Sequence, residues 1–463
     1  MGKSCIFRVK VVGKSCIFVV IRYNEFMLKR KITQILEKWR SEEQKPCLLV
    51  KGARQVGKTF VVDQFARDNY QNYIYVNFEL QPEYKKIFDG NLDFETLKLN
   101  LEVNFPNVKI EKGKTLLFLD EIQSCPNARV ALKSFATDGT LDVIASGSLL
   151  GLYYKEVSSY PVGYERSVEL FPLDFEEFLW ALGVSEDVIT ELRNGFAERR
   201  QVSESVISKV AEYFRLYLIV GGMPQAVNTY LQSNSVSDVR VVQRSLIESY
   251  KNDVMKYASV PDKQKILKTF ESIPVQLAKK NKKFVYSEID IADKSPSERK
   301  YSSAIYWLKD AGIVNFCYNL HEPALPLDAN RNLDSFKMYM RDTGLLVSMM
   351  DLGVPKAIVE NDLYINEGGL LENVCAEEVM TRYESLTYFE RRGKLEIDFV
   401  INIDGQATAI EVKSGNNKLA KSLTSIIENY KTVTRYVMLE NGNKIYVDDK
   451  GVEHYPLFMV MFL

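Results

Sequence analysis

Cys47-Leu48-Leu49-Val50, then Gly52-Ala53-Arg54-Gln55-Val56-Gly57-Lys58-Thr59, then Phe60-Val61-Val62-Asp63-Gln64-Phe65 decide the fold of this 463-residue chain. A short apolar run of strand type leads into GxxxxGK[ST] and out into a helical stretch, the setting that a phosphate-binding loop requires. The two glycines let the backbone curl until several N–H groups point inward, and the helix N-terminus adds partial positive charge. Gly52, Ala53, Arg54, Gln55, Val56, Gly57, Lys58 and Thr59 are therefore the candidate phosphate cradle. Lys58 is expected to reach the β- and γ-phosphates, and the Thr59 hydroxyl to ligate Mg2+.

The partner of that loop is Leu116-Leu117-Phe118-Leu119-Asp120-Glu121. Four consecutive apolar residues predict a strand buried on both faces, as in a parallel sheet. Asp120 at its carboxyl end is the candidate Mg2+ holder, directly or through water, and Glu121 the candidate base for the attacking water. Further strands are predicted at Tyr73–Phe78, Asp142–Ala145 and Ser167–Leu170, with helical stretches between them. Alternation of this kind implies an α/β P-loop NTPase fold with a parallel sheet and the nucleotide at the carboxyl ends of its strands. Ile144-Ala145-Ser146-Gly147-Ser148 then ends where a hydroxyl can sense the γ-phosphate, Ser148 first and Ser146 as the alternate. Arg166 is the candidate to neutralise transition-state charge, on a neighbouring subunit's nucleotide.

Composition agrees with an ordinary globular chain of about three domains. Hydrophobic residues make up 46% and charged residues 26%, and 60 Lys+Arg nearly cancel 61 Asp+Glu. No global field draws the chain to nucleic acid or acidic membranes, so any such contact needs a local patch. Two histidines leave little room for His-rich metal sites or a His-based triad, and six dispersed cysteines without a CxxC pair fit a reducing, cytoplasmic setting. No apolar run reaches the ~18 residues that span a bilayer, so no membrane partner is expected. Gly2-Lys3-Ser4-Cys5-Ile6-Phe7 recurs as Gly13-Lys14-Ser15-Cys16-Ile17-Phe18. Residues 1–26 read as a leader that is not part of the fold, with Met27 the natural start. The GKS triplets in it lack the upstream glycine of a phosphate loop.

Residues 200–325 read as mostly helical, broken by the turn Gly221-Gly222-Met223-Pro224. Lys279-Lys280-Asn281-Lys282-Lys283 precedes a helix at Ser303–Ala311 and a strand-type run at Gly312–Tyr318. Helices followed by a short hairpin predict a winged-helix-like region, and the lysines are candidate contacts for DNA phosphates. In residues 330–463, Leu395–Ile401 and Ala409–Lys413 are strand-like runs joined by Asp404-Gly405, and Glu372 lies in a helical stretch upstream. An acid on one strand and Glu-x-Lys on the next is the pattern of PD-(D/E)xK nucleases. Glu372, Asp398 and Glu411 are thus candidate metal ligands, with Lys413 to orient water. The competing expectation is that the acids pair with Arg391, Arg392 or Lys394 and cut nothing.

Gly52–Thr59, Leu116–Glu121, Ala145–Ser148 and Leu170–Leu179 together resemble the ATPase domain of bacterial and archaeal AAA-type ATPases that carry a DUF4143 region. The resemblance continues through Gly221–Pro224, Lys337–Leu346 and Glu411–Ser414, covering nearly everything after Met27. At Tyr164-Glu165-Arg166 the chain departs from it, since Gly-Arg is expected there. It implies ATP with Mg2+ as cofactors, an ATPase domain over residues 27–190, a winged-helix-like middle and a nuclease-like C-terminal region. Expected partners are DNA or a protein, in a homo-oligomer. Two other functions stay open: an ATP-regulated metal-dependent DNA endonuclease, and a nucleotide-dependent binding switch with negligible turnover.

Overall fold

In the computed structural model the described residues are 27–148, 163–279, 281–360, 367–391, 395–414 and 421–463. The leader 1–26 and the cations Arg392 and Lys394 lie outside them. The first sheet holds β1 (Cys47–Lys51), β2 (Asn72–Asn77), β3 (Thr115–Asp120), β4 (Asp142–Gly147) and β5 (Glu165–Glu169). Their order is β2-β3-β4-β1-β5 and every pairing is parallel.

Alternation by two explains why these strands read as unbroken apolar runs. Leu48, Val50, Leu116, Phe118 and Ile144 enter one core, while Cys47, Leu49, Leu117, Leu119, Val143 and Ala145 enter another on the opposite face. The strands predicted at 73–78, 142–145 and 167–170 are thus present, shifted by one or two residues. Parallel order leaves all five carboxyl ends on one edge, where the loop at 52–59 lies.

Helices occupy most of the middle region: Glu204–Val220, Pro224–Ser233, Val236–Tyr257, Lys263–Leu277 and Glu298–Asp310. The strand expected at 312–318 is β6 (Val314–Leu320), which pairs antiparallel with β7 (Arg331–Met340). That hairpin does not stand free as a wing. β6 also pairs in parallel with β8 (Leu386–Arg391), which pairs with β9 (Leu395–Ile397), giving one sheet ordered β7-β6-β8-β9. The boundary expected near residues 325–330 therefore falls inside a sheet, because cross-strand hydrogen bonds join residues on both sides of it.

The run 395–401 is not one strand either. At Asp398 the chain leaves β9 and enters β10 (Phe399–Ile403), which belongs to a separate sheet with β11 (Gln406–Lys413), β12 (Arg435–Glu440), β13 (Tyr446–Val447) and β14 (Glu453–Pro456). The turn is as expected: Asp404 and Gly405 have φ of 51° and 79°, which suits a tight hairpin. Among the described residues no helix is long and apolar enough to cross a membrane.

The joint between the first sheet and the helices is unusually close. Leu173 N–H donates to Gly222 O at 2.7 Å, Tyr217 hydroxyl to Leu173 O at 2.7 Å, and Gly222 N–H to Asp342 Oδ2 at 2.7 Å. A Cβ at Gly222 would lie 2.0 Å from Leu173 O. Because the obstacle is backbone, Gly222→Ala is expected to lower stability by about 1–3 kcal/mol, at the upper end of overpacking effects. The urea midpoint should fall, while helix and strand content by circular dichroism stays unchanged.

Candidate functional site

The cradle begins where β1 ends. Gly52 has φ of 149°, and a Cβ there would lie 2.2 Å from Leu170 O, just past β5. Only glycine lets the loop leave the sheet at that point. Gln55 and Gly57 also take left-handed φ values, 66° and 96°, before the helix Lys58–Asn69 starts. Loop carbonyls turn outward onto side chains. Those of Gly52 and Ala53 accept from the Lys58 ammonium at 2.9 and 2.8 Å, that of Arg54 from Tyr250 hydroxyl at 3.3 Å, and that of Val56 from Arg30 Nη1 at 3.0 Å. Burial pushes the Lys58 ammonium down to about 8, against the opposite pull of Glu121 and Asp120.

Asp120 is buried at the end of β3. Its Oδ2 accepts from Thr59 Oγ1 at 2.9 Å, Tyr75 hydroxyl at 3.0 Å and Asn77 Nδ2 at 3.0 Å. Its Oδ1 accepts from Glu121 N–H at 3.1 Å and from the Ser146 hydroxyl. Glu121 follows with φ of 54°, and its carboxylate accepts from Ser148 hydroxyl at 3.1 and 3.2 Å and from Gln123 Nε2 at 2.6 Å. The two serines are thus divided between the two acids, Ser146 on Asp120 and Ser148 on Glu121. Thr59 and Asp120 present hard oxygen donors of the kind Mg2+ takes, close to Lys58, so these residues fit that ion.

Three expected contributors stand apart from this cluster. Arg54 forms an ion pair with Asp253, and Gln55 Nε2 donates to Ser249 Oγ at 3.3 Å, so both side chains reach the Val236–Tyr257 helix. Arg166 is half-exposed and grips Glu42 at 2.7 and 2.9 Å. It pairs in register with Leu48, four residues before Gly52, which puts it about 13 Å from its own chain's cradle at ordinary strand rise.

The C-terminal acids do come together, with partners the sequence reading did not include. Glu372 Oε2 receives the Tyr339 hydroxyl at 2.8 Å and the Lys337 ammonium at 3.2 Å, while Oε1 receives Lys282 at 2.7 Å. Lys337 also meets Glu396 at 2.8 Å. Asp398 Oδ2 accepts Val412 N–H at 2.8 Å, and Glu411 pairs with Lys413. Among the described residues no group of three His, Cys, Asp or Glu side chains is arranged to hold a metal ion. Two lysines of the run are also paired, Lys282 with Glu372 and Lys279 with Glu288 at 2.5 Å, and Lys280 lies outside the described residues. Arg391 donates to Tyr430 hydroxyl at 2.9 Å.

With this geometry, comparison with known proteins is specific in two segments. Residues 44–179 match the AAA domain family AAA_14, and residues 367–459 match the domain of unknown function DUF4143. The chain carries an AAA domain and a DUF4143 region. Between the two, residues 211–356 match a further domain of unknown function, DUF8612. An uncharacterized protein of Methanocaldococcus jannaschii is 24% identical over 419 residues, 88% of this chain and 83% of that protein. Among solved structures, the Walker-type ATPase PABY2304 of Pyrococcus abyssi aligns over 70% of this chain and 96% of its own, at 17% identity and a TM-score of 0.43. The Orc1 protein of Aeropyrum pernix, solved in complex with DNA, aligns over 74% of this chain and 95% of its own, at 13% identity and a TM-score of 0.28.

Sequence reasoning missed Tyr75, Asn77, Arg30 and Lys337. Asn77 had a signal, a polar residue at the carboxyl end of a strand beside the one bearing Asp120. Lys337 had another, a lone charge inside the apolar run Phe336–Met340, which demands a buried counter-charge.

The lowered Lys58 value carries a sign. Triphosphate charge favours the ammonium, so its pKa rises on binding and the complex takes up a proton wherever free Lys58 is neutral. Nucleotide affinity of this chain should therefore fall as pH rises through 8 and above. Calorimetry in buffers of different ionisation enthalpy should find more than roughly half a proton taken up at pH 8.5 and about a tenth at pH 7.

Proposed function

We propose that this chain binds ATP with Mg2+ in the loop 52–59 and hydrolyses it, using the resulting movement to act on a macromolecular partner. The observation that carries this reading is the single hydrogen-bonded set Thr59–Asp120–Glu121–Ser148 beside Lys58. Loop amides and Lys58 bind the phosphates, Thr59 and Asp120 hold the ion, and Glu121 takes the proton of the attacking water. The ion, when bound, offsets negative charge on the β- and γ-phosphates. Ser148 keeps the Glu121 carboxylate aimed, and Arg166 is assigned to a neighbouring copy's nucleotide in a homo-oligomer of a cytoplasmic protein.

Coupling is supported by what the loop touches. Lys58 must release Gly52 O and Ala53 O to reach phosphate, and Arg54 next to them is tied to Asp253 on the Val236–Tyr257 helix. Internal pairing of Lys279 and Lys282 favours a protein partner over DNA.

Glu121→Gln is expected to lower phosphate release by about 100-fold or more while leaving ATP binding intact, the range for loss of a general base. Lys58→Ala should abolish binding itself. Unchanged turnover in Glu121→Gln sinks the ATPase reading. Addition of duplex DNA is expected to change the wild-type rate by less than about twofold, against the large activation a DNA-driven motor would show.

A further inference from the structure

A PD-(D/E)xK reading of Glu372, Asp398, Glu411 and Lys413 requires the acids to offer open oxygens to a divalent cation. In this chain the space is already held by ammonium groups. Lys337 has no exposed side chain at all, and its Nζ lies between Glu372 and Glu396 at 3.2 and 2.8 Å. Lys282, from a different segment, takes the other oxygen of Glu372 at 2.7 Å. Both oxygens of the helix-borne acid are therefore bound by cations or by the Tyr339 hydroxyl. A Mg2+ ion on either oxygen, at roughly 2.1 Å, would sit against a buried ammonium in a low-dielectric site. Lys413, the residue that would orient water, is spent on Glu411. Four carboxyl groups face three ammonium groups, so most of the charge that would attract a cation is offset by the chain itself. Of the three candidate ligand acids, the oxygens that the described residues leave open are Glu411 Oε2, buried and without a hydrogen-bond partner, and Asp398 Oδ1.

Glu372 also sits on the helix Glu367–Met380, whose next turns hold other parts of the molecule. Asn373 brackets Met340 through its N–H at 2.7 Å and its carbonyl at 3.1 Å. Glu377 accepts from Thr343 N–H at 2.9 Å and Tyr217 hydroxyl at 2.8 Å, and Glu378 accepts from Phe175 N–H at 2.7 Å. We infer that the Lys337–Glu372 cluster is a metal-free lock that fixes this helix against β7, and not a divalent-metal nuclease centre. Lys337 stands as the site's resident cation.

The test uses the full chain in three measurements. Mn2+ titrated without nucleotide should give the same calorimetric uptake for wild type and for the Asp398→Asn/Glu411→Gln variant. One additional Mn2+ bound by the wild type overturns the inference, and the pair chosen contains both open oxygens. Supercoiled and single-stranded DNA should stay uncut with Mg2+ or Mn2+, whereas nicking that disappears in Lys413→Ala overturns it. Lys337→Met should lower the melting temperature by about 5 °C or more, since it strands buried carboxylates. Lys337→Met/Glu372→Leu, which removes both charges, should recover at least half of that loss. An unchanged melting temperature in Lys337→Met overturns the lock even where no metal binds.

Discussion

A loop that wraps phosphate has to solve a problem of its own making: for every N–H turned inward, a carbonyl must be kept out of the anion's way. Four carbonyls of the loop 52–59 are tied down by side chains from three directions. Lys58 takes those of Gly52 and Ala53, Tyr250 that of Arg54, and Arg30 that of Val56. Arg30 is itself fixed, since it also donates to Glu177 at 3.0 Å and to Phe171 O at 2.6 Å. The cradle's shape is thus set by residues up to about two hundred positions away in the chain, as contiguous contact requires. When ATP draws Lys58 inward, two carbonyls lose their partner at once, and the loop's tie to the Val236–Tyr257 helix carries a larger share of holding it.

The same economy appears at the strand ends. Asp120 collects donors from β2, from the first helix after the loop, and from β4, which are the neighbours that a parallel order β2-β3-β4-β1 supplies. A buried carboxylate with so many donors is fixed in direction, which is what an ion-holding group needs. Glu121, one residue on, lies beyond the strand and among the described residues its carboxylate is steadied by Ser148 and Gln123. The fold therefore separates a rigid acid from a less constrained one within two adjacent positions.

The first sheet and its loop were legible because their signals are local: apolar runs of strand length, two glycines at fixed spacing, and an acid pair at a strand's end. Asp398 misled for the same reason. Its flanks alternate as one strand should, yet hydrogen bonds to two different sheets divide them, and sheet membership is not written in any short window. Arg166 was read for its charge, while its height along β5 depends on pairing with β1. The lysine run read as a set of DNA-phosphate contacts because nothing in that short window announces that Glu372, ninety residues later, reaches Lys282. Long-range ion pairs are the information that a linear reading lacks.

The helix Glu367–Met380 is where those long-range contacts gather, and its composition says how it works. Apolar packing alone tolerates sliding, because dispersion has little directional preference. Carboxylates that accept backbone N–H groups do not tolerate it, since a shift of an ångström leaves a buried acid and a buried amide both unmatched. Burial pushes Glu378 up to about 7 and Asp342 up to about 6, although each accepts backbone N–H groups that pull the other way. Such residues, Glu378 on this helix and Asp342 just after β7, cost stability to bury, and apolar side chains would fill the same space more cheaply. Their retention at the contacts with Phe175 and Gly222 makes the joint between the AAA domain and the rest of the chain one of defined register. A joint of that kind resists sliding, so under the proposed hydrolysis cycle a movement begun at the loop 52–59 would pass to the C-terminal sheets rather than be absorbed between them.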